Sequence, residues 1–260
     1  MIVKVNRLNS VKDIKNLLSI GVDIIGISVK LNPESKDGRA LSIEEVLDIK
    51  SKITIPNLSI NLNAAAYKKD DLSKICNKLN PQSLNLFLEN SSIRDAVHLN
   101  GRYLETINSI NNTKIDVIAF GNGFDYDGAI FNPKHLNALN CIKYYELSFH
   151  TLDSNSQLKI RTRAEWAKAL NVEEREVKQE NCDTILETII ETMKGYKFLV
   201  DDNIIGIPIE TLKNIGASGI TLSLESSKND VYVDKQTNIN KIASRRSIDG
   251  KHPSNYIYVV

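Results

Sequence analysis

Short runs with the two-residue period of strands alternate with amphipathic stretches of helical period from the start of the chain. Residues 2–5 read as a strand. Ser10 then caps a helix in which Val11, Ile14, Leu17 and Leu18 fall on one face, and Gly21 closes it as a C-terminal glycine. Residues 22–29 are near-continuously apolar, as in a strand buried on both faces. Ser42 with Glu45 three residues on predicts a capping box for a helix through Ile49. The unit repeats, with strands at 58–62, 83–88, 115–120, 144–149, 197–200 (or on to 206) and 219–224. Helices are predicted at 70–79, 93–110, 133–139 and 210–215. Residues 171–194 read as a further, charged helix with Ile185, Ile189, Ile190 and Met193 as its apolar stripe.

Eight strand–helix units in a chain of 260 residues predict an α/β fold, a (β/α)8 TIM barrel. The competing architecture is an open doubly wound sheet, but no G-x-G-x-x-G follows the first strand. No linker divides the chain, so residues 1–260 are expected to form one TIM-barrel domain, with 226–260 a C-terminal extension ending in Asn255-Tyr256-Ile257-Tyr258-Val259-Val260, an edge strand or a partner-binding tail. The longest irregular stretch is expected at 150–163.

Composition removes several function classes. Lys and Arg number 33 against 32 Asp and Glu, so no global field exists to hold nucleic acid or an anionic membrane. No apolar run approaches the roughly 20 residues of a membrane helix, and the N-terminus lacks the basic and apolar regions of a signal peptide. Cys76, Cys141 and Cys182 are odd in number and far apart, neither a disulfide framework nor a zinc pattern. A reduced, cytoplasmic compartment is therefore expected. Neither a cofactor nor a metal is predicted, because no spacing of His and carboxylates is specific enough. The expected partner is a small-molecule substrate, with a second copy of the chain or a pathway protein left open.

In a barrel the interior is filled and reactive groups come from the C-terminal ends of the strands. Those positions hold Asn6, Arg7, Ser28, Lys30, Asn61, Asn63, Glu89, Asn122, Asp125, His150, Asp201, Asp202, Ser223 and Glu225. Asp201-Asp202 reads as an acid/base pair, metal ligands or a clamp for a cation, against a solvated loop capping the next helix. His150 has the side chain suited to proton transfer at neutral pH, against a surface histidine. Lys30 as a Schiff-base amine needs burial to lower its pKa; otherwise it is a loop lysine. Residues 121–128 carry two acids but not the frame of a calcium loop, so an ordinary turn or a lid is the better reading. Arg161 and Arg163 make a local basic point, with a solvated loop the default.

The sequence resembles phosphoribosylanthranilate isomerase, the barrel enzyme of tryptophan synthesis. The resemblance rests on Lys4-Val5-Asn6-Arg7-Leu8 where that family has K-I-C-G-I, and on Gly21-Val22-Asp23-Ile24-Ile25-Gly26-Ile27 against G-A-D-x-x-G-F. Arg39-Ala40-Leu41-Ser42 with Glu44-Glu45 looks like R-Y-I-S-x-E-E, and Gly206-Ile207-Pro208-Ile209-Glu210 is similar to G-L-N-P-E. It implies a barrel and, in the family, an Amadori isomerisation of a phosphoribosyl-amine. The departures fall on the functional positions. The family's general base, a cysteine, is Asn6, whose neutral amide takes no proton from carbon but can orient a carbonyl. The glycine after it is Arg7. Where the family's strand six ends in an acidic residue, His150 is the nearest titratable candidate. Asp201, Asp202 and Glu225 stand where the family cradles phosphate, and a carboxylate about 4 Å from a phosphate repels it by roughly 4 kcal/mol per charge pair. Arg39 remains to anchor an anionic group.

The expectation is thus a diverged barrel acting on a small polar metabolite by isomerisation or related proton transfer, not the tryptophan-pathway reaction. His150 with Asp201 or Asp202 would exchange the proton, Asn6 would orient a carbonyl, and Arg39, Arg7, Lys30 and Glu225 would contact substrate. The alternatives are a catalytically inactive barrel serving as a binding or scaffold subunit, and a changed reaction class such as a lyase using Lys30 or a metal on the carboxylates.

Overall fold

Capping chemistry starts and stops the first helices where the sequence places the signals. In the computed structural model, which describes residues 1–30, 40–63, 69–87, 115–122, 142–148, 150–152, 158–160, 173, 191, 193–201, 213 and 216–223, Ser10 accepts a hydrogen bond from the Asp13 backbone N–H and opens α1 (Val11–Ser19). Two bonds end it: the Gly21 N–H donates to the Leu18 carbonyl at 3.0 Å and the Val22 N–H to the Leu17 carbonyl at 3.1 Å. That is a Schellman motif; it requires a left-handed residue at Gly21, whose φ is 82°. The α2 helix (Ile43–Lys52) begins with both halves of the Ser42–Glu45 capping box, and α3 spans Lys69–Leu79.

Ten strands are described: β1 (Ile2–Asn6), β2 (Ile24–Ser28), β3 (Leu58–Asn63), β4 (Ser83–Phe87), β5 (Asp116–Asn122), β6 (Ile142–Ser148), β7 (His150–Leu152), β8 (Leu158–Ile160), β9 (Phe198–Asp201) and β10 (Gly219–Ser223). Eight of them form a closed barrel in the order β1-β10-β9-β6-β5-β4-β3-β2. Every pairing within it is parallel, including β1 with β2 and β1 with β10. The (β/α)8 barrel expected from the sequence is therefore the fold. At the closure the two backbones approach so tightly that a Cβ on Gly219 would lie 2.2 Å from the Ile2 carbonyl oxygen.

Two details differ from expectation. The stretch 150–163 is not wholly irregular: β7 and β8 pair antiparallel, His150 opposite Ile160 and Leu152 opposite Leu158. β5 runs on through Gly121 and Asn122, the expected start of a loop, because its ladder with β6 extends to the Asn122–Ser148 pair. The helices expected at 93–110 and 133–139 and the tail 226–260 lie outside the described residues, as does most of the stretches 171–194 and 210–215.

The strands sort by parity into two environments. Val3, Val5, Ile25, Ile27, Leu58, Ile60, Leu84, Leu86, Phe198, Val200 and Ile220 share one buried apolar cluster with Ile14 and Leu17 of α1, Val46 and Ile49 of α2, and Leu72, Ile75 and Leu79 of α3. The alternate positions face the lumen. Some are apolar there, as with Ile118 and Leu199, both buried yet outside that cluster. Several are polar and buried: Lys4, Ser59, Ser83, Asn85, Glu146 and Thr221.

Candidate functional site

The lumen is held by an ion pair. Lys4 on β1 and Glu146 on β6 are 0% and 1% exposed, and Nζ lies 2.5 Å from Oε2. Each residue sits two positions before the end of its strand, so the pair lies one layer beneath the C-terminal rim. Taking both charges out of water costs several kcal/mol apiece, and only close pairing with further hydrogen bonds offsets it. Those bonds are present. Asn85 Nδ2 of β4 donates to Glu146 Oε2 at 3.2 Å, and Asn6 Nδ2 donates to Oε1 at 3.3 Å. The carboxylate thus has three donors from two strands of the ring, β1 and β4.

Because a carboxylate only accepts, its charge dictates which way each amide faces. Asn6 turns its NH2 to Glu146 and leaves Oδ1 to accept from Asn61 Nδ2 of β3 at 3.1 Å. Each amide nitrogen is accounted for; two amide oxygens at the far side, Asn61 Oδ1 and Asn85 Oδ1, are buried with no hydrogen-bond donor. The hydroxyls of Ser59 and Thr221 are likewise without a partner. Asn61 and Asn85 are direct register partners on neighbouring strands, and so are Lys4 and Thr221. The polar centre is therefore rich in acceptors on its β3–β4 side.

A gap in β2 allows this arrangement. The Asn6–Asn61 bond crosses β2 at Gly26, where a Cβ would lie 2.2 Å from Asn6 Oδ1 and 3.1 Å from Asn61 Nδ2. Only hydrogen fits.

Of the residues singled out from the sequence, Asn6 is part of this group and partly buried at the last position of β1. Arg7 follows it with φ 61°, in the left-handed region, and its side chain is partly buried. Lys30 lies just past β2, where its N–H donates to the Leu41 carbonyl at 2.9 Å. Its charge is a minor cause, after the Ser42 backbone hydrogen bond, of the lowered pKa of Glu45. Asp201 ends β9 in register with Thr221, itself the register partner of Lys4. His150 opens β7 two residues beyond the end of β6, so it belongs to the β7–β8 pair and not to a barrel strand. Arg39, Asp202 and Glu225 lie outside the described residues.

Sequence reasoning named Asn61 as a rim residue but missed Lys4, Asn85 and Glu146 as site residues. The signal was available: polar residues at alternate positions of strands whose other positions are apolar, Lys4 and Asn6, Ser59 and Asn61, Ser83 and Asn85. Attention to the rim alone passed over the layer below it. Among the described residues no group of three His, Cys, Asp or Glu is placed to hold a metal, and no helix is long and apolar enough to cross a membrane.

Comparison with known proteins fits this fold. No protein-family model and no curated protein matches the chain. Among solved structures, phosphoribosyl anthranilate isomerase from Thermus thermophilus superposes with a TM-score of 0.57 at 14% identity, covering 95% of this chain and 99% of that one. The enzyme of that name from Thermotoga maritima gives 0.55 at 13% identity, covering 94% and 100%. An aldolase/citrate lyase family protein from Burkholderia cenocepacia gives 0.52 at 12%, covering 96% and 93%. The chain thus has a phosphoribosylanthranilate isomerase-like barrel with a widely diverged sequence.

Proposed function

We propose that this barrel is an enzyme that moves a proton on a small polar metabolite, at a carbon next to a carbonyl, by isomerisation or a related transfer. The observation that carries the reading is the Lys4–Glu146 pair one layer below the rim, with Asn6 above it. Glu146 Oε2 is engaged by Lys4 and Asn85, whereas Oε1 meets Asn6 at a long 3.3 Å. Oε1 is then the atom that accepts the proton from carbon, and Lys4 holds the carboxylate in orientation. Asn6 carries a second amide hydrogen, which donates to the substrate carbonyl as negative charge builds on it. Arg39, His150, Asp201, Asp202 and Glu225 remain proposed rim groups, Arg39 as an anchor and the others for substrate contact or proton return. Arg7 and Lys30 supply positive charge on the β1–β2 side.

Supporting the reading is the cost of the arrangement. A buried pair contributes little net stability compared with apolar residues of the same size, so its presence under the rim of a barrel, where such folds place their chemistry, favours a working group. The second reading is a barrel retained as a binding or scaffold subunit. It draws on the 1% exposure of Glu146, the burial also expected of a purely structural tie.

Deuterium uptake separates the two. The protein is incubated in D2O with a panel of small hydroxy-ketones and keto-acids, and exchange at the carbon beside the carbonyl is followed by NMR. Exchange by the wild type, lost in a folded Lys4→Met/Glu146→Leu double variant, is the expected result. Exchange that survives in the double variant removes Glu146 from the reaction, and no exchange with any compound favours the scaffold.

A further inference from the structure

Two carbonyl oxygens in the lumen face no donor, and their orientation is not a free choice. The negative charge on Glu146 orients Asn85 directly and Asn61 through Asn6, so neither amide can be turned over without setting oxygen against oxygen. Asn85 is 5% exposed, and an acceptor buried that deeply without a donor is strongly disfavoured unless something supplies one. An anion is excluded at this edge, since its oxygens would meet carbonyl oxygens beside a carboxylate.

The spacing narrows the donor further. Asn61 and Asn85 are register partners on adjacent strands, and adjacent strands lie about 4.8 Å apart. Side chains of one register pair stand on the same face, so one atom carrying two hydrogens, at about 2.9 Å from each acceptor, can serve both. A hydroxyl has a single hydrogen and serves one of the two. A nitrogen with two or more hydrogens serves both.

We infer that Asn61 Oδ1 and Asn85 Oδ1 together form a subsite for a terminal –NH2 or –NH3+ group, so that the ligand of this barrel is an amine or a primary carboxamide. The inference deepens the proton-transfer reading by naming the substrate class of the same site, and rests on that reading only for the statement that the ligand is a substrate. Ser59, on β3 two residues before Asn61, adds a hydroxyl that also lacks a partner among the described residues, whereas Thr221, whose hydroxyl does too, lies on β10 across the ring.

The test uses the intact protein and thermal melting, with methylammonium chloride and acetamide at about 100 mM as probes. Tetramethylammonium chloride and N,N-dimethylacetamide, which lack the hydrogens, are controls, and erythritol is the hydroxyl probe. A rise of about 3 °C or more with methylammonium or acetamide, absent with its methylated control, supports the subsite, and which of the two acts separates the amine from the amide. In Asn61→Leu the probe-dependent rise should disappear while the free protein melts near the wild-type temperature, because the substitution removes one orphaned acceptor, Asn61 Oδ1, and leaves another, Asn6 Oδ1, without its donor. Equal shifts with methylated and unmethylated probes, a rise with erythritol alone, or no rise with any probe overturns the inference. Should Asn61→Leu not fold, a wild-type crystal soaked in the active probe answers the same question, nitrogen between the two oxygens or water only. Stabilisation without deuterium exchange leaves the subsite standing and removes the proton-transfer reading; exchange without stabilisation does the reverse.

Discussion

Asn6 and Asn61 are joined across an intervening strand. Their 3.1 Å hydrogen bond passes over Gly26, and it exists because β2 presents a hydrogen there instead of a side chain. The whole acceptor-rich edge of the lumen depends on that gap, since Asn61 takes its orientation through Asn6.

Gly26→Ala therefore tests packing and function at once. The added methyl would overlap Asn6 Oδ1 and must displace it. Such overpacking costs about 1–3 kcal/mol, and in a domain of this size each kcal/mol lowers the melting temperature by about 2–4 °C. Circular dichroism melting gives the shift, and the same variant should lose the stabilisation by methylammonium or acetamide. A variant that melts like the wild type would show that the amide pair moves aside freely.

Single and double substitutions at the ion pair should behave oppositely. Lys4→Met leaves Glu146 charged and unpaired in the barrel, which costs about 3–5 kcal/mol. Lys4→Met/Glu146→Leu replaces both charges with apolar groups of similar size and should regain wild-type stability or exceed it by about 1–4 kcal/mol. Urea denaturation of the three proteins reads this directly, and a double variant as weak as the single one would mean that the lumen cannot repack.

The capping box at Ser42 and Glu45 gives a prediction in pH. The Ser42 backbone N–H donates to Glu45 and lowers the pKa of its carboxyl below 4.5, and the Ser42 hydroxyl accepts from the Glu45 N–H. A depressed carboxyl stabilises above its unfolded pKa and loses that contribution as pH falls through the folded one. Glu45→Ala, which takes away the charged acceptor of the Ser42 N–H, should destabilise the protein at neutral pH. The gap from wild type should narrow as pH drops below 4.5. Melting curves across that range check both sign and size.

Cys76, on the buried face of α3, should behave as an inert thiol. Burial pushes its pKa up to about 11 from 9.0, so almost none of it is thiolate near neutrality. Mass spectrometry after iodoacetamide treatment should find the Cys76 peptide alkylated only when denaturant is present. The raised value also makes stability fall with alkali: the contribution is complete below pH 9.0 and lost as pH climbs to about 11, because the unfolded thiol ionises first. Labelling of the native protein at the rate of free cysteine would refute the burial.

Periodicity and caps made the barrel legible: Ser10, Gly21 and the Ser42–Glu45 box each sit where the structure ends or starts a helix. Strand parity was equally plain in the apolar positions. What hid the site was its depth: the positions taken from the sequence were strand ends, and these polar residues lie a layer below. Lys4 alternates with Val3 and Val5 like a solvent-facing residue of an antiparallel sheet, and only closure of the ring turns that face inward. Glu146 was passed over for His150 because the search began at the strand's end, whereas the carboxylate that meets Asn6 lies two residues earlier. No local pattern pairs residue 4 with residue 146; they meet because β1 and β6 are brought across one lumen.

Ring closure also orders events on the way to the native state. β1 cannot acquire its second neighbour until β10 has been made, since Ile2–Asn6 pairs with Gly219–Ser223. During synthesis β1 accordingly waits with one row of backbone amides and carbonyls open to water until β10 has left the ribosome. Until that seam is sewn, the open edge of β1 is free to take wrong strand partners.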